Sequence, residues 1–182
     1  MSEALQATEG APLLSEDAFL ALPESVTKTE LVHGELIVSP APHWRHQRIS
    51  GRLFRQLAAW CDENPPAEAG YAPLDLRLAS DRIVQPDLAL WLDGVDPDAT
   101  VIDVRPDLVV EVISTNRAHD RVTKRLLYAD AGIPEYWILD PQLRRVERLT
   151  GPGYQQVEVL TGSLASEMLP GLSLDLVALF AD

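Results

Sequence analysis

The chain of 182 residues predicts an α/β fold built around a mixed β-sheet flanked by helices. Three observations carry that prediction. Residues 83–91 and 107–114 are almost continuously apolar, as strands buried on both faces are. Residues 43–62 set Ile49, Leu53, Leu57 and Trp60 at helical spacing, with arginines on the other positions. The strong segments follow in the order helix, strand, strand, strand, helix, strand.

Residues 1–12 carry no pattern and are expected to be disordered; residues 13–182 are expected to form one domain. Ser15 is placed to cap a short helix whose first turn holds Glu16 and Asp17, and Pro23 stops it. Residues 28–32 and 35–39 flank His33-Gly34, a two-residue turn suited to an N-terminal hairpin. Ser39-Pro40-Ala41-Pro42 breaks the second strand, and Asn64-Pro65-Pro66 ends the following helix. Residues 71–78 alternate through Leu74, Leu76 and Leu78 as a strand does, and 93–105 read as an acidic loop. A helix from about 119 to 131 is closed by Gly132 and Pro134. Residues 135–139 form the next strand, ended by Asp140-Pro141. Residues 144–149 and 154–160 flank Gly151-Pro152-Gly153 as a C-terminal hairpin, and the apolar tail 169–180 is expected to cover the core as a short helix. Trp44, Trp60, Trp91 and Trp137 read as core or interface residues.

An apolar share of 46% and a charged share of 24% are ordinary for a soluble globular protein. The single cysteine, Cys61, excludes an internal disulfide and a cysteine-rich zinc module, and fits a reducing compartment. No basic segment precedes an apolar run at the N-terminus, and no stretch approaches the roughly 18 apolar residues of a membrane helix. A cytoplasmic protein without membrane contact is expected. The net charge of −13 argues against generic nucleic-acid binding, where phosphates are met by Lys and Arg. Arg45, Arg48, Arg52 and Arg55, and Arg117, Arg121, Lys124 and Arg125, form two basic segments. They read as a basic mouth on an acidic body, or as solvated helix faces.

Two carboxylates interrupt the apolar runs: Asp87 in Val84-Gln85-Pro86-Asp87-Leu88 and Glu111 in Val109-Val110-Glu111-Val112-Ile113. A carboxylate in such a strand is costly unless it is paired or holds a cation. Strand alternation puts Gln85, Asp87 and Ala89 on one face, and Glu111 with Val109 and Ile113 on one face of the next strand. If these strands are neighbours, the two acids can share one hard cation through oxygen. Asp120, Lys124 and Tyr128 repeat at helical spacing beside Leu127 and Ala131, so Lys124 is expected to face the sheet. The combination points to a Mg²⁺-dependent site that cleaves phosphodiesters. The bland alternatives are a turn residue for Asp87 and a buried ion pair of Glu111 with Lys124 or Arg121. His43 and His46 lack the further Cys or His of a zinc site, and His46 is placed as a phosphate contact or a supporting group. With no Gly-x-Ser-x-Gly elbow and no nucleotide-binding loop, no organic cofactor is expected.

Pro86-Asp87 followed by Glu111 resembles the PD-(D/E)XK nuclease superfamily, although Ile113 stands where its lysine is expected. Across residues 28–180 the chain more specifically resembles the Uma2-type restriction endonuclease family, formerly a domain of unknown function. The matching stretches include Glu30-Leu31-Val32-His33-Gly34-Glu35-Leu36, Ser39-Pro40-Ala41-Pro42, His46-Gln47 and Ala131-Gly132-Ile133-Pro134-Glu135-Tyr136-Trp137. The resemblance implies a restriction-endonuclease-like core. It implies Asp87 and Glu111 as ligands of Mg²⁺ or Mn²⁺, joined by the Val112 carbonyl, and Lys124 as the lysine that has moved to the helix. Glu30, with Glu35 behind it, is the candidate to complete the site. DNA is the substrate implied, with His46, Arg45, Arg121 and Tyr128 as candidate contacts. A homodimer is expected, because cutting both strands of a duplex usually needs two sites. The competing expectation is a nuclease fold kept for nucleic-acid or protein binding without turnover, in line with the −13 charge and the missing strand lysine.

Overall fold

A computed structural model describes residues 13–23, 27–113 and 122–182. The expected disorder of residues 1–12 and the roles considered for Arg117, Asp120 and Arg121 lie outside the described residues. Helix α1 (Glu16–Leu20) begins as expected, with the Ser15 hydroxyl accepting from the Ala18 N–H at 3.2 Å. Strands β1 (Thr29–Val32) and β2 (Glu35–Val38) pair through a two-residue turn. Both turn residues adopt the left-handed conformation, His33 at φ 51° and Gly34 at φ 79°. A β-carbon at Gly34 would also fall 2.9 Å from that of Leu13. Glycine meets both demands.

Helix α2 (Trp44–Glu63) buries Ile49, Leu53, Leu57 and Trp60, the stripe its spacing announced. Trp60, Trp91 and Trp137 are buried, whereas Trp44 is 77% exposed on the first turn. Beyond α2 the strands are shorter and more numerous than the apolar runs imply. The strand expected over 71–78 breaks after Tyr71, the last residue of β3 (Glu68–Tyr71), and resumes as β4 (Asp75–Ala79), and 83–91 divide into β5 (Arg82–Val84) and β6 (Leu88–Trp91). Pro86 is the reason for the second break, since it offers no N–H to a neighbouring strand. The loop 93–105 contributes a short strand, β7 (Val101–Ile102), parallel to β4.

After β8 (Leu108–Val112) and α3 (Lys124–Asp130) come β9 (Glu135–Asp140), β10 (Arg145–Thr150) and β11 (Gln156–Leu160). The tail differs from the helix expected over 169–180. It forms β12 (Ser163–Ser166) and β13 (Leu169–Asp175), and only α4 (Leu176–Phe180) is helical. Leu172 and Leu174 alternate with exposed neighbours, a two-residue period that suits a strand, and the Asp175 carboxylate caps the helix that follows.

The single mixed sheet of the sequence reading is therefore two sheets and a ribbon. One sheet has the order β2-β1-β5-β4-β7, the other β11-β10-β9-β8-β6-β3, and β12 pairs with β13. Strand β8 is central: it runs antiparallel to β6 and parallel to β9. Leu108, Val110 and Val112 face α2, each fully buried side chain contributing about 1.5–3 kcal/mol. Val109 and Ile113 face Leu127 and Tyr128 of α3, together with Val32, Leu76 and Val84 of the other sheet. Glu111 points to that second face, at the seam between the two sheets.

Candidate active site

Asp87 owes its position to the strand break. Just before β6 its carbonyl accepts the Ala72 N–H, while its carboxylate turns toward β8 and accepts the Val112 N–H at Oδ2, 2.7 Å away. The face assignment by simple alternation does not hold for Asp87, because Pro86 interrupts the strand. The proximity to Glu111 does hold: Leu88 faces Val110 in the antiparallel register, so the next pair outward is Asp87 and Glu111. His46, the third residue of α2, reaches the same Oδ2 from Nε2 at 2.9 Å, and Ser50 lies 3.5 Å from its Nδ1. Burial pushes the Asp87 carboxyl up. The His46 hydrogen bond, the Lys28 ammonium and the Val112 N–H outweigh it and hold the group below the usual carboxylate range. Burial pulls the His46 imidazole down, but the Asp87 and Glu111 carboxylates leave it raised above its ordinary value.

Glu30 comes from β1 of the other sheet. Its Oε1 accepts the Gln85 N–H at 2.6 Å and the Lys124 ammonium at 2.8 Å. Lys124, the first residue of α3, also donates to Glu111 Oε1 at 2.6 Å and lies 3.4 Å from the Gln85 carbonyl. The Tyr128 hydroxyl, one turn along, donates to the same Glu111 oxygen at 2.7 Å. Lys124 and both glutamates are each at most 2% exposed by side chain. Burial alone would depress the Lys124 ammonium; Glu111 and Glu30 reverse the sign and raise it well above its ordinary value. Burial and the neighbouring Glu111 charge likewise push the Tyr128 phenol well up, so it stays a donor at neutral pH.

These carboxylates open onto a cleft of about 440 Å³. Asp87, Glu111, Glu30 and Val112 line its floor, and His46 and Phe54 of α2 line one wall. Tyr71 packs against Phe54 and extends that wall, 59% exposed, its ring 4.5 Å from that of Phe54 and nearly edge-on. Lys28 is the cleft's only lysine or arginine among the described residues. Its ammonium lies 3.6 Å from Asp87 Oδ1, 3.9 Å from Glu111 Oε2 and 4.0 Å from Glu30 Oε1. The sequence reading passed over Lys28. The signal was available, because Lys28 and Glu30 sit two residues apart and so share a strand face.

Other candidates lie elsewhere. Tyr128 is buried beneath Glu111 and does not line the cleft, which removes it as a substrate contact. Arg45 pairs with Asp182 at 3.5 Å, and Glu35 is exposed on the hairpin away from the cleft. The expected basic mouth does not form from α2. Arg48 also meets Asp182, and Arg52 donates to the carbonyls of Ala178, Leu179 and Ala181. On α3, Arg125 donates to the Tyr154 carbonyl.

The donor set suits a hard divalent cation: carboxylate oxygens from three elements turned toward one position. In this arrangement that position is held by the Lys28 ammonium. No three acidic or histidine side chains among the described residues close tightly enough to grip an ion as they stand.

A family model described as "Uma2: Putative restriction endonuclease" matches residues 16–177. No curated protein matches the chain. A crystal structure described as a putative nuclease belonging to DUF820 from Anabaena variabilis is similar, with a TM-score of 0.79 and 23% identity. The match covers 92% of this chain and 97% of that one, so the two share a fold. No helix among the described residues is long and apolar enough to cross a membrane.

Proposed function

The chain belongs to the Uma2 family, and on that premise we propose that it is a metal-dependent endonuclease that hydrolyses phosphodiester bonds in DNA. The observation that carries this reading is the convergence of Asp87, Glu111 and Glu30, from separate strands and a strand break, on the floor of one cleft above a sealed lysine.

Asp87 and Glu111 are the residues that would hold Mg²⁺ or Mn²⁺, with the Val112 carbonyl beside them and Glu30 completing the acidic set. Such an ion, when bound, supplies an activated water and offsets charge on the phosphate. The protein's own groups do the rest. Lys124 pairs with Glu30 and Glu111 and fixes them in place, acting through the carboxylates rather than on the substrate. His46 and the Val112 N–H orient Asp87. The aromatic wall of Phe54 and Tyr71 offers a stacking surface to an unpaired base next to the scissile phosphate, a contact that needs no basic face. That fits a chain whose net charge is −13.

The test is cleavage of supercoiled plasmid and of single-stranded DNA with Mg²⁺ or Mn²⁺, run beside Asp87→Ala and Glu111→Gln. Metal-dependent nicking lost in both variants is the expected result. A protein that binds DNA without cutting it, in any metal, would replace this reading with a binding module on a nuclease fold.

A further inference from the structure

We propose that Lys28 is the cation of this site that meets the substrate, and that it does so by giving up its three carboxylates when a divalent ion takes them. The inference rests on the nuclease reading and assigns a residue that the sequence reading passed over.

Two lysines neutralise the same acids, and only one of them is free to leave. Lys124 is 1% exposed and makes two hydrogen bonds of 2.6 and 2.8 Å, with the Gln85 carbonyl behind it. It does not line the cleft. Pulling it out would strand two glutamates in a dry interior. Lys28 is different in each respect. Its side chain is 24% exposed, it lines the cleft, and none of its three carboxylate contacts is shorter than 3.6 Å. Those distances exceed hydrogen-bonding range, so the ammonium is held by the field of the carboxylates and not by directional bonds.

A divalent ion and the Lys28 ammonium cannot both occupy the point on which Asp87, Glu111 and Glu30 converge, because like charges a few ångströms apart repel strongly at low dielectric. Lys28 therefore has to swing outward as the carboxylates turn to the ion. Its flexible four-carbon stem allows this, and its backbone beside β1 keeps it at the cleft mouth. There it faces an anionic phosphodiester as the only lysine or arginine of the cleft among the described residues. In hydrolysis the water oxygen forms the new bond to phosphorus and releases one proton to solvent. The leaving oxygen departs with the electron pair of the broken bond and takes a proton from solvent. Lys28 contributes charge to the phosphoryl oxygens without any net proton transfer.

The signature is two effects of opposite sign, measured on the full chain as wild type, Lys28→Met and Lys28→Gln. Calorimetric titration with Mn²⁺ alone should show both variants binding the ion more tightly, by roughly tenfold, since no ammonium competes. Plasmid cleavage at saturating Mn²⁺ should fall by about a hundredfold in both. A merely structural role would weaken the two together. Unchanged or weaker Mn²⁺ affinity, or undiminished cleavage, in variants of a wild type that binds and cuts would overturn the exchange and leave the nuclease standing. A wild type that neither binds Mn²⁺ nor cuts would overturn the nuclease reading and this inference with it.

Discussion

Strands β8 and β9 lie side by side and each buries a glutamate, yet the two serve opposite ends. Glu135 opens β9 and is 4% exposed. Its Oε1 accepts the Trp137 indole N–H at 2.6 Å and lies 3.3 Å from Arg148 Nε, while Oε2 accepts the Ser166 hydroxyl at 2.8 Å. One carboxylate faces one guanidinium and two neutral donors, and it does not line the cleft. Glu111 on β8 shares its surroundings with Glu30 and Asp87, and its group opens to solvent along one side. Burial of a carboxylate is thus no mark of chemistry by itself. What marks the second region is a crowd of acids turned toward an opening and neutralised there by a side chain that can move.

That contrast can be broken most decisively at the level of turnover. Asp87→Ala and Glu111→Gln are expected to lower plasmid nicking by about a thousandfold or more, a loss typical of removing a group made for the transition state. Glu135→Gln should leave the rate constant of the folded protein unchanged. Equal losses in all three would erase the distinction.

Stability comes next. Lys124→Met leaves Glu30 and Glu111 buried together and should cost about 3–5 kcal/mol in urea unfolding of the metal-free protein. Arg148→Met should cost less, about 1–3 kcal/mol, because Trp137 and Ser166 still serve both oxygens of Glu135. Tyr128→Phe removes one hydrogen bond to Glu111 and is expected to cost about 1 kcal/mol in the same measurement.

The smallest effect is one of pH. The Asp87 carboxyl is held below its unfolded value, so its contribution is present above about pH 4 and is lost as pH falls through the lower folded value. His46 is raised, so its contribution is complete below about pH 6.5 and fades as pH rises through the folded value. Unfolding free energy followed against pH in chelator should lose the His46 limb in His46→Ala and keep a reduced acid limb, since Lys28 and the Val112 N–H still hold Asp87 down.

Much of this was legible because it is local. The stripe Ile49, Leu53, Leu57 and Trp60 needed only its own spacing, and so did the His33-Gly34 turn. Glu111 stood out because aliphatic residues surround it on both sides, whereas Glu135 begins its strand and looks like a solvated end. What failed was non-local. The split into two sheets depends on which strands pair, and Pro86 hinted only that the run must break. The arginines of α2 promised a basic mouth because the C-terminal partners of three of them, Asp182 for Arg45 and Arg48 and the carbonyls of Ala178, Leu179 and Ala181 for Arg52, lie more than a hundred residues away and could not be foreseen. For Lys28 the spacing to Glu30 was legible, but a lysine at the start of a strand is usually solvated, and the fold is what adds Asp87 and Glu111 around it.

Residues 85–87 carry a consequence for how such a chain can diverge. This short link joins a strand of one sheet to a strand of the other, and its groups are tied on both sides: Gln85 to Glu30 and Lys124, Asp87 to Val112 and His46. One residue added or removed here would slide the halves out of step and turn Asp87 away from Glu111. Substitutions elsewhere can accumulate gradually, and the loop 93–100 has room to grow or shrink. The link has no such freedom, so an insertion or deletion here would cost a descendant of this chain its site in a single step, as replacing Asp87 or Glu111 itself would.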